Sequence, residues 1–286
     1  MKVVLAGAYG NLGIDILRKL AADGHQVIAA DLKQTDPNIK GDITFIPIDV
    51  TTPETLEGLC DGADAVITTV GLTKGSPTIT PEQIDYQGNL NLLNEAKKAG
   101  VKHFSYVSVI KADKAPGIPM LAAKAKFEKE LKASGIHYVI HRPTGYFYDI
   151  VKVFRPMVEK GEVTLLGKKD VHANVISTED FAEFIVLHMM DEDDKTYNVG
   201  GKETYSYQQI AELCFEAAGK PVVVKRAPAW LFDMLAFFAK IKKTGKAGVI
   251  KFGKWTMSED MVGDTVYGDM SFAEYIKKSF AKEEGK

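Results

Sequence analysis

Lys2-Val-Val-Leu-Ala6, Gly7-Ala-Tyr-Gly10-Asn-Leu-Gly13 and Ile14-Asp-Ile-Leu-Arg-Lys-Leu20 follow one another without a break: a buried-strand pattern, a glycine-rich turn and an amphipathic helix. A pair of phosphates can lie against a helix N-terminus only where the backbone turns tightly and carries no Cβ at closest approach. Gly7, Gly10 and Gly13 supply that shape, and the amides of Tyr9, Gly10, Asn11, Leu12 and Gly13 supply the donors. Asp31 closes the next β-branched run, about 20 residues on, where a carboxylate accepts from the adenosine ribose hydroxyls and repels a 2′-phosphate. The stretch therefore predicts a dinucleotide fold that favours NAD(H). Lys33, two residues further, leaves NADP(H) open.

Working outward, the runs Val3–Ala6, Val27–Ala30, Ile43–Ile48, Ala65–Val70, Phe104–Val109 and Tyr138–His141 alternate with helical patterns, the signature of βαβ units. Most are apolar throughout, as strands buried on both faces must be. The expectation is an α/β protein with a Rossmann doubly wound parallel sheet over residues 1–150. A smaller C-terminal substrate lobe covers residues 151–286, with 172–200 returning to the Rossmann core. Thr80-Pro-Glu-Gln83 and Ser206-Tyr-Gln-Gln209 read as capping boxes opening helices, and Pro228 as the start of another through Ile241. Asp49-Val50, ending the third strand, is placed to meet adenine, and Gly71, after the fourth, to line the path of the nicotinamide half.

Composition narrows the function classes. The 286 residues carry 36 Lys and Arg against 38 Asp and Glu, a formal net charge of −2, so nothing points to nucleic acid. The two cysteines, Cys60 and Cys214, have no metal-ligand spacing and read as core thiols of a reducing compartment. With no leader pattern and no membrane-length apolar run, the expected location is the cytoplasm. No metal site is expected. His137 and His141 lie four apart on a strand, too far for joint ligation. The acidic run Asp191–Asp194 reads as a solvated turn.

Beyond the glycine loop, the chain carries Ile84-Asp-Tyr-Gln-Gly-Asn-Leu-Asn-Leu-Leu93, Tyr106-Val-Ser108, Lys124-x-x-x-Glu128-x-x-Leu131, Arg142-Pro-Thr-Gly-Tyr-Phe147 and Tyr197-Asn-Val-Gly-Gly201. With these motifs it resembles the atypical short-chain dehydrogenase/reductase superfamily, in particular its NmrA-like branch and the related NAD-dependent epimerase/dehydratases. The resemblance implies a nicotinamide cofactor and a lobe that closes over a small-molecule substrate. It also implies an Asn, Ser or Thr, Tyr and Lys catalytic set, from which this chain departs. Met120 stands at the tyrosine position and can neither give nor take the reacting proton, and Asp85 stands at the asparagine position. Ser108 ends its strand one or two residues before the usual hydroxyl, where Val109 and Ile110 follow. Lys124, on the inward stripe of its helix, is assigned either to the nicotinamide ribose or to a general base whose pKa burial lowers; the alternative is a lysine snorkelling out beside Glu128. Tyr146, Tyr148 and Tyr86 are the replacement acids considered, and Tyr146 is the one taken forward.

The segment Ala229–Ala239 is apolar almost all round and is followed by Lys240, Lys242, Lys243, Lys246, Lys251 and Lys254. Two readings stand: a helix buried over the substrate or in a subunit contact, which is favoured, and an interfacial membrane helix over 229–254. The expected activity is hydride transfer between NAD(H) and a small apolar acceptor, a carbonyl, quinone or conjugated alkene. The alternatives are a non-catalytic dinucleotide redox sensor acting through a protein partner and, less well matched, a sugar-nucleotide epimerase or dehydratase. A homodimer through the helices around Asp85–Leu93 and Lys124 is compatible with the resemblance.

Overall fold

The computed structural model describes residues 1–72, 75–167, 169–242 and 244–281, so Lys243 lies outside the described residues. Two compact units emerge, Met1–Thr73 with Thr78–Arg142 and Phe181–Tyr197, and Lys74–Pro77 with Pro143–Asp180 and Asn198–Lys286.

In the first unit β1 (Lys2–Ala6), α1 (Asn11–Ala22), β2 (Gln26–Asp31), β3 (Asp42–Pro47) and β4 (Ala65–Thr68) are followed by a π-helix (Glu82–Gly88) that runs directly into α2 (Asn89–Lys98). Then come β5 (His103–Val107), α3 (Pro119–Lys132) and β6 (His137–Pro143). The chain continues through α4 (Phe147–Glu159), β7 (Val163–Leu166), β8 (His172–Ala173), α5 (Thr178–His188), β9 (Lys195–Gly200), β10 (Tyr205–Ser206), α6 (Tyr207–Ala217), β11 (Val224–Ala227), α7 (Trp230–Ile241), α8 (Ala247–Thr256), β12 (Thr265–Val266) and α9 (Phe272–Ala281). The central sheet has eight strands in the order β12-β9-β6-β5-β4-β1-β2-β3. Its pairings are parallel, with Val3 beside both Val27 and Ala65. This is the expected Rossmann arrangement.

The strands are apolar on both sides because both faces are covered. Val4, Ala6, Val66, Phe104, Tyr106 and Ile140 form one core cluster with Leu92 and Leu93 of α2 and Phe127 and Leu131 of α3. Their neighbours Val3 and Leu5 point the other way by the period of two, toward the layer in which Ile16, Leu17 and Leu20 of α1 are buried. Each such side chain contributes on the order of 2 kcal/mol by leaving water. From β1 the chain builds outward through β2 and β3, then returns to the opposite side for β4, β5 and β6. The reversal lies between β1 and β4, where open α/β sheets bind their ligands.

In the second unit, β7 pairs with β11 in parallel and β8 with β10 antiparallel. Phe154 of α4 stacks on Tyr207 of α6 at 6.2 Å, and Phe147 meets Phe272 of α9 at 4.8 Å. The Ser206 capping box is present, with Gln209 N donating to Ser206 Oγ at 3.2 Å and Ser206 N donating to Gln209 Oε1 at 2.8 Å. Cys60 and Cys214 are both buried free thiols, as expected, and burial pushes each up to about 12.

Candidate functional site

The turn after β1 is shaped by exclusion. Gly7 has φ +78°, and a Cβ there would sit 2.5 Å from Thr69 Oγ1; a Cβ on Gly13 would sit 2.0 Å from the Gly7 carbonyl oxygen. Gly10 donates to Gly7 O at 3.2 Å and serves as the N-cap of α1. No side chain among the described residues caps this helix, and its first turn holds no acid. Its free amides and positive dipole end thus face the loop as a diphosphate needs. Asn11 is exposed there and Leu12 is buried beneath. Tyr9 serves through its backbone, N–H to Asp31 Oδ2 at 2.8 Å, while its hydroxyl accepts from Gln34 at 2.9 Å and its ring meets Phe45 edge-on. Asp31 Oδ1 accepts from Leu32 N at 2.7 Å, so two amides aim the carboxylate at the end of β2. Asp49 holds its own turn through Thr51 N–H and hydroxyl, and Val50 packs where Gly88 leaves room, 2.6 Å from a Cβ built there.

A second cluster forms behind β4. Asp85 of the π-helix is fully buried, and its Oδ1 lies 3.1 Å from Lys124 Nζ of α3 while its Oδ2 accepts from Leu72 N at 3.1 Å. Lys124 also donates to Val107 O at 3.4 Å, and its Nζ lies 5.4 Å from the centre of the Tyr106 ring. A Cβ on Gly71 would meet Asp85 Oδ1 at 2.9 Å and Lys124 Nζ at 3.1 Å, so the Gly71 backbone lies directly on the pair. Burial by itself would lower the Lys124 ammonium, but Tyr106 and Asp85 overcome it and hold the lysine above its ordinary range. The direction is opposite to that expected of a burial-lowered base. The snorkelling alternative is corrected as well, because Glu128 belongs to another network. Its Oε1 accepts from Ser108 Oγ at 2.5 Å and from Arg142 Nε at 2.9 Å, and a second Arg142 bond goes to Oε2. Ser108 is thereby spent on Glu128.

Residues 7–192 match a family model described as NAD(P)H-binding. The chain belongs to this NAD(P)H-binding family. Among curated relatives it is 27% identical over 251 residues to the photosystem II assembly factor Ycf39 of Synechocystis, covering 84% of this chain and 74% of that one. It is 28% identical over 297 residues to the divinyl chlorophyllide a 8-vinyl-reductase of Zea mays, covering 91% and 71%. The NADPH-dependent quinone oxidoreductase of Escherichia coli, solved with NADPH, has the same fold, with a TM-score of 0.71 at 20% identity over 97% of this chain and 99% of that one. The chain is accordingly an NAD(P)H-binding protein with an oxidoreductase-like fold.

Within this NAD(P)H-binding chain, the considered acids are placed as follows. Met120, at the place of the missing tyrosine, is the second residue of α3, one turn before Lys124. Tyr86 is engaged at the surface, its ring under Lys126 Nζ at 3.7 Å and its hydroxyl 3.5 Å from Glu130. In the second unit the Tyr146 and Tyr148 rings stack at 5.6 Å, and burial, with Tyr148 and Asp149, pushes the Tyr146 hydroxyl well above the usual phenol range. The sequence reading missed the role of Asn89. Its Oδ1 accepts from the Thr68 hydroxyl at 2.8 Å and its Nδ2 reaches Val70 O and Asp85 O at 3.1 Å, fastening the end of β4 to the π-helix. The signal was a polar residue on an otherwise apolar helix stripe. The acidic turn is also more than solvated, since Asp191 accepts from the Tyr197 hydroxyl at 2.8 Å and lies 3.0 Å from His188 Nδ1.

Proposed function

We propose that this chain is an NAD(H)-preferring reductase acting on a small apolar acceptor. The observation that carries the reading is the Asp31 carboxylate, aimed by two amides at the end of β2, in the same unit as the Lys124–Asp85 pair under Gly71. When bound, the nicotinamide supplies the hydride. The chain's residues do the rest: the loop amides of Gly7, Ala8, Tyr9 and Gly10 are spent on holding the turn, the Asn11, Leu12 and Gly13 amides at the α1 terminus bind phosphate, Asp31 accepts from ribose hydroxyls, and Lys124, as a cation, holds the second ribose and favours negative charge developing nearby.

A cationic lysine with methionine one turn before it offers no proton relay. That favours acceptors whose hydride adduct is a stabilised anion protonated by water, as with a quinone or a conjugated alkene, over simple carbonyls and sugars. The relative named for reducing an 8-vinyl group fits this class. The second reading, a dinucleotide-dependent assembly or sensor protein, is favoured by the relatives named photosystem II assembly factor.

Calorimetric titration with all four nucleotides, followed by NADH oxidation against quinones, enones and aldehydes, tests both readings. The expected outcome is NADH binding at least about tenfold tighter than NADPH, with turnover on quinones or enones. Tight binding without turnover on any acceptor selects the second reading, and no nucleotide binding overturns both.

A further inference from the structure

Within the chain itself the apolar segment is left largely uncovered. Ala236 is the only buried residue of α7, and α8 has none. At about 100° per residue, Phe237, Trp230, Ile241, Met234 and Phe238 fall side by side on an arc roughly 100° wide. These five are exposed to 60%, 60%, 60%, 41% and 50%, an uncommon density of large apolar side chains in water. Ala236 and Ala239 occupy the opposite face. The hairpin is not loosely hung: Gly245, at φ +71° in the turn between the helices, would place a Cβ 2.2 Å from Ser76 O.

The charge around this stripe is one-sided. From residue 229 to residue 258 the chain has six lysines and a single acid, Asp233, although the whole protein is slightly anionic. Asp233 is neutralised by Lys254, whose Nζ reaches both its oxygens at 2.7 Å. Lys240, Lys242, Lys246 and Lys251 are exposed. We infer that the α7–α8 hairpin is an in-plane anchor for an anionic lipid surface, with the aromatic stripe in the acyl boundary and these lysines at the headgroups. At about 1.5 Å per residue the 12 residues of α7 are too short to span a bilayer, and no described helix is long and apolar enough to cross one. A second copy of the chain suits the face poorly, because an isologous contact would set the exposed lysines against their equivalents. This inference stands independently of the nucleotide site.

Sedimentation with vesicles of phosphatidylcholine containing roughly one-third phosphatidylglycerol tests it, against pure phosphatidylcholine. The full chain should pellet with the anionic vesicles at low ionic strength, with partitioning falling about fivefold for each lysine replaced by glutamine among Lys242, Lys246 and Lys251. In a Trp255→Phe protein, the remaining Trp230 emission should shift to the blue on vesicle addition. Phe237→Ser with Ile241→Ser should abolish pelleting while NADH titration is unchanged, since both side chains are exposed in the unit that does not hold the glycine loop. The inference is overturned by absence of pelleting with anionic vesicles at low salt, by equal pelleting of the double variant, or by a solution dimer that the double variant dissociates.

Discussion

Lys124 and Asp85 are 39 positions apart in sequence, and each is tolerable where it lies only because of the other. Removing one partner of a buried pair leaves an unbalanced charge and typically costs about 3–5 kcal/mol, whereas replacing both by groups of similar shape is far cheaper. Lys124→Met and Asp85→Asn should therefore each lower stability by several kcal/mol in urea unfolding, and the double variant should recover most of the loss. All three should weaken NADH binding. The glycines, Asp31 and the inward stripe of Lys124 were legible because their causes are local: a Cβ clash, a strand end, a helical period. The partner of Lys124 was not, since a carboxylate at an unexpected position gives no sign of which cation it meets. Nor was the Ser108–Glu128–Arg142 network, in which three side chains from separate elements converge.

At the scale of elements, the parallel strands could be read because double burial imposes continuous β-branched runs, and the two capping boxes because their donors and acceptors are three residues apart. The seven-residue π-helix could not, because its cause lies outside it: Thr80 opens the segment through Gln83, and Asn89 holds the far end to β4. π-Turns are uncommon and recur at functional sites, and here the widened turn carries Asp85. Asn89→Ala leaves the Thr68 hydroxyl and the Val70 and Asp85 carbonyls without this partner. The expected cost is about 1–3 kcal/mol, with weaker nucleotide binding by calorimetry as the Asp85 support loosens. The second unit was harder to read because β8, β10 and β12 are two residues long and α4 carries an internal proline, Pro156, so neither period develops fully.

Across the whole molecule, stability against acid should bear the mark of His141. It is fully buried among Phe181, Phe184 and Tyr197, its ring nitrogens have no hydrogen-bond partner among the described residues, and burial, with the His188 ring, holds it down to about 3 despite Asp191. An unfolded histidine takes a proton below about pH 6.5, and the folded one does so only near 3. Between these values the unfolded state binds the extra proton, so stability falls with falling pH by up to about 1.4 kcal/mol per pH unit from this residue. Urea unfolding from pH 7 to pH 5 should show a shallower slope for His141→Phe than for the wild type. An unchanged slope would assign the acid sensitivity to other groups.

The two thiols have a consequence for following such transitions. Cys60 lies in the unit that carries the glycine loop and Cys214 in the other, and both are the only sulfhydryls in the chain. Held near 12 and out of water, neither is a competent nucleophile at neutral pH while its surroundings are closed. The unlabelled wild-type protein thus contains one native alkylation clock per unit: peptide-resolved labelling times for Cys60 and Cys214 separate local opening of one half from that of the other.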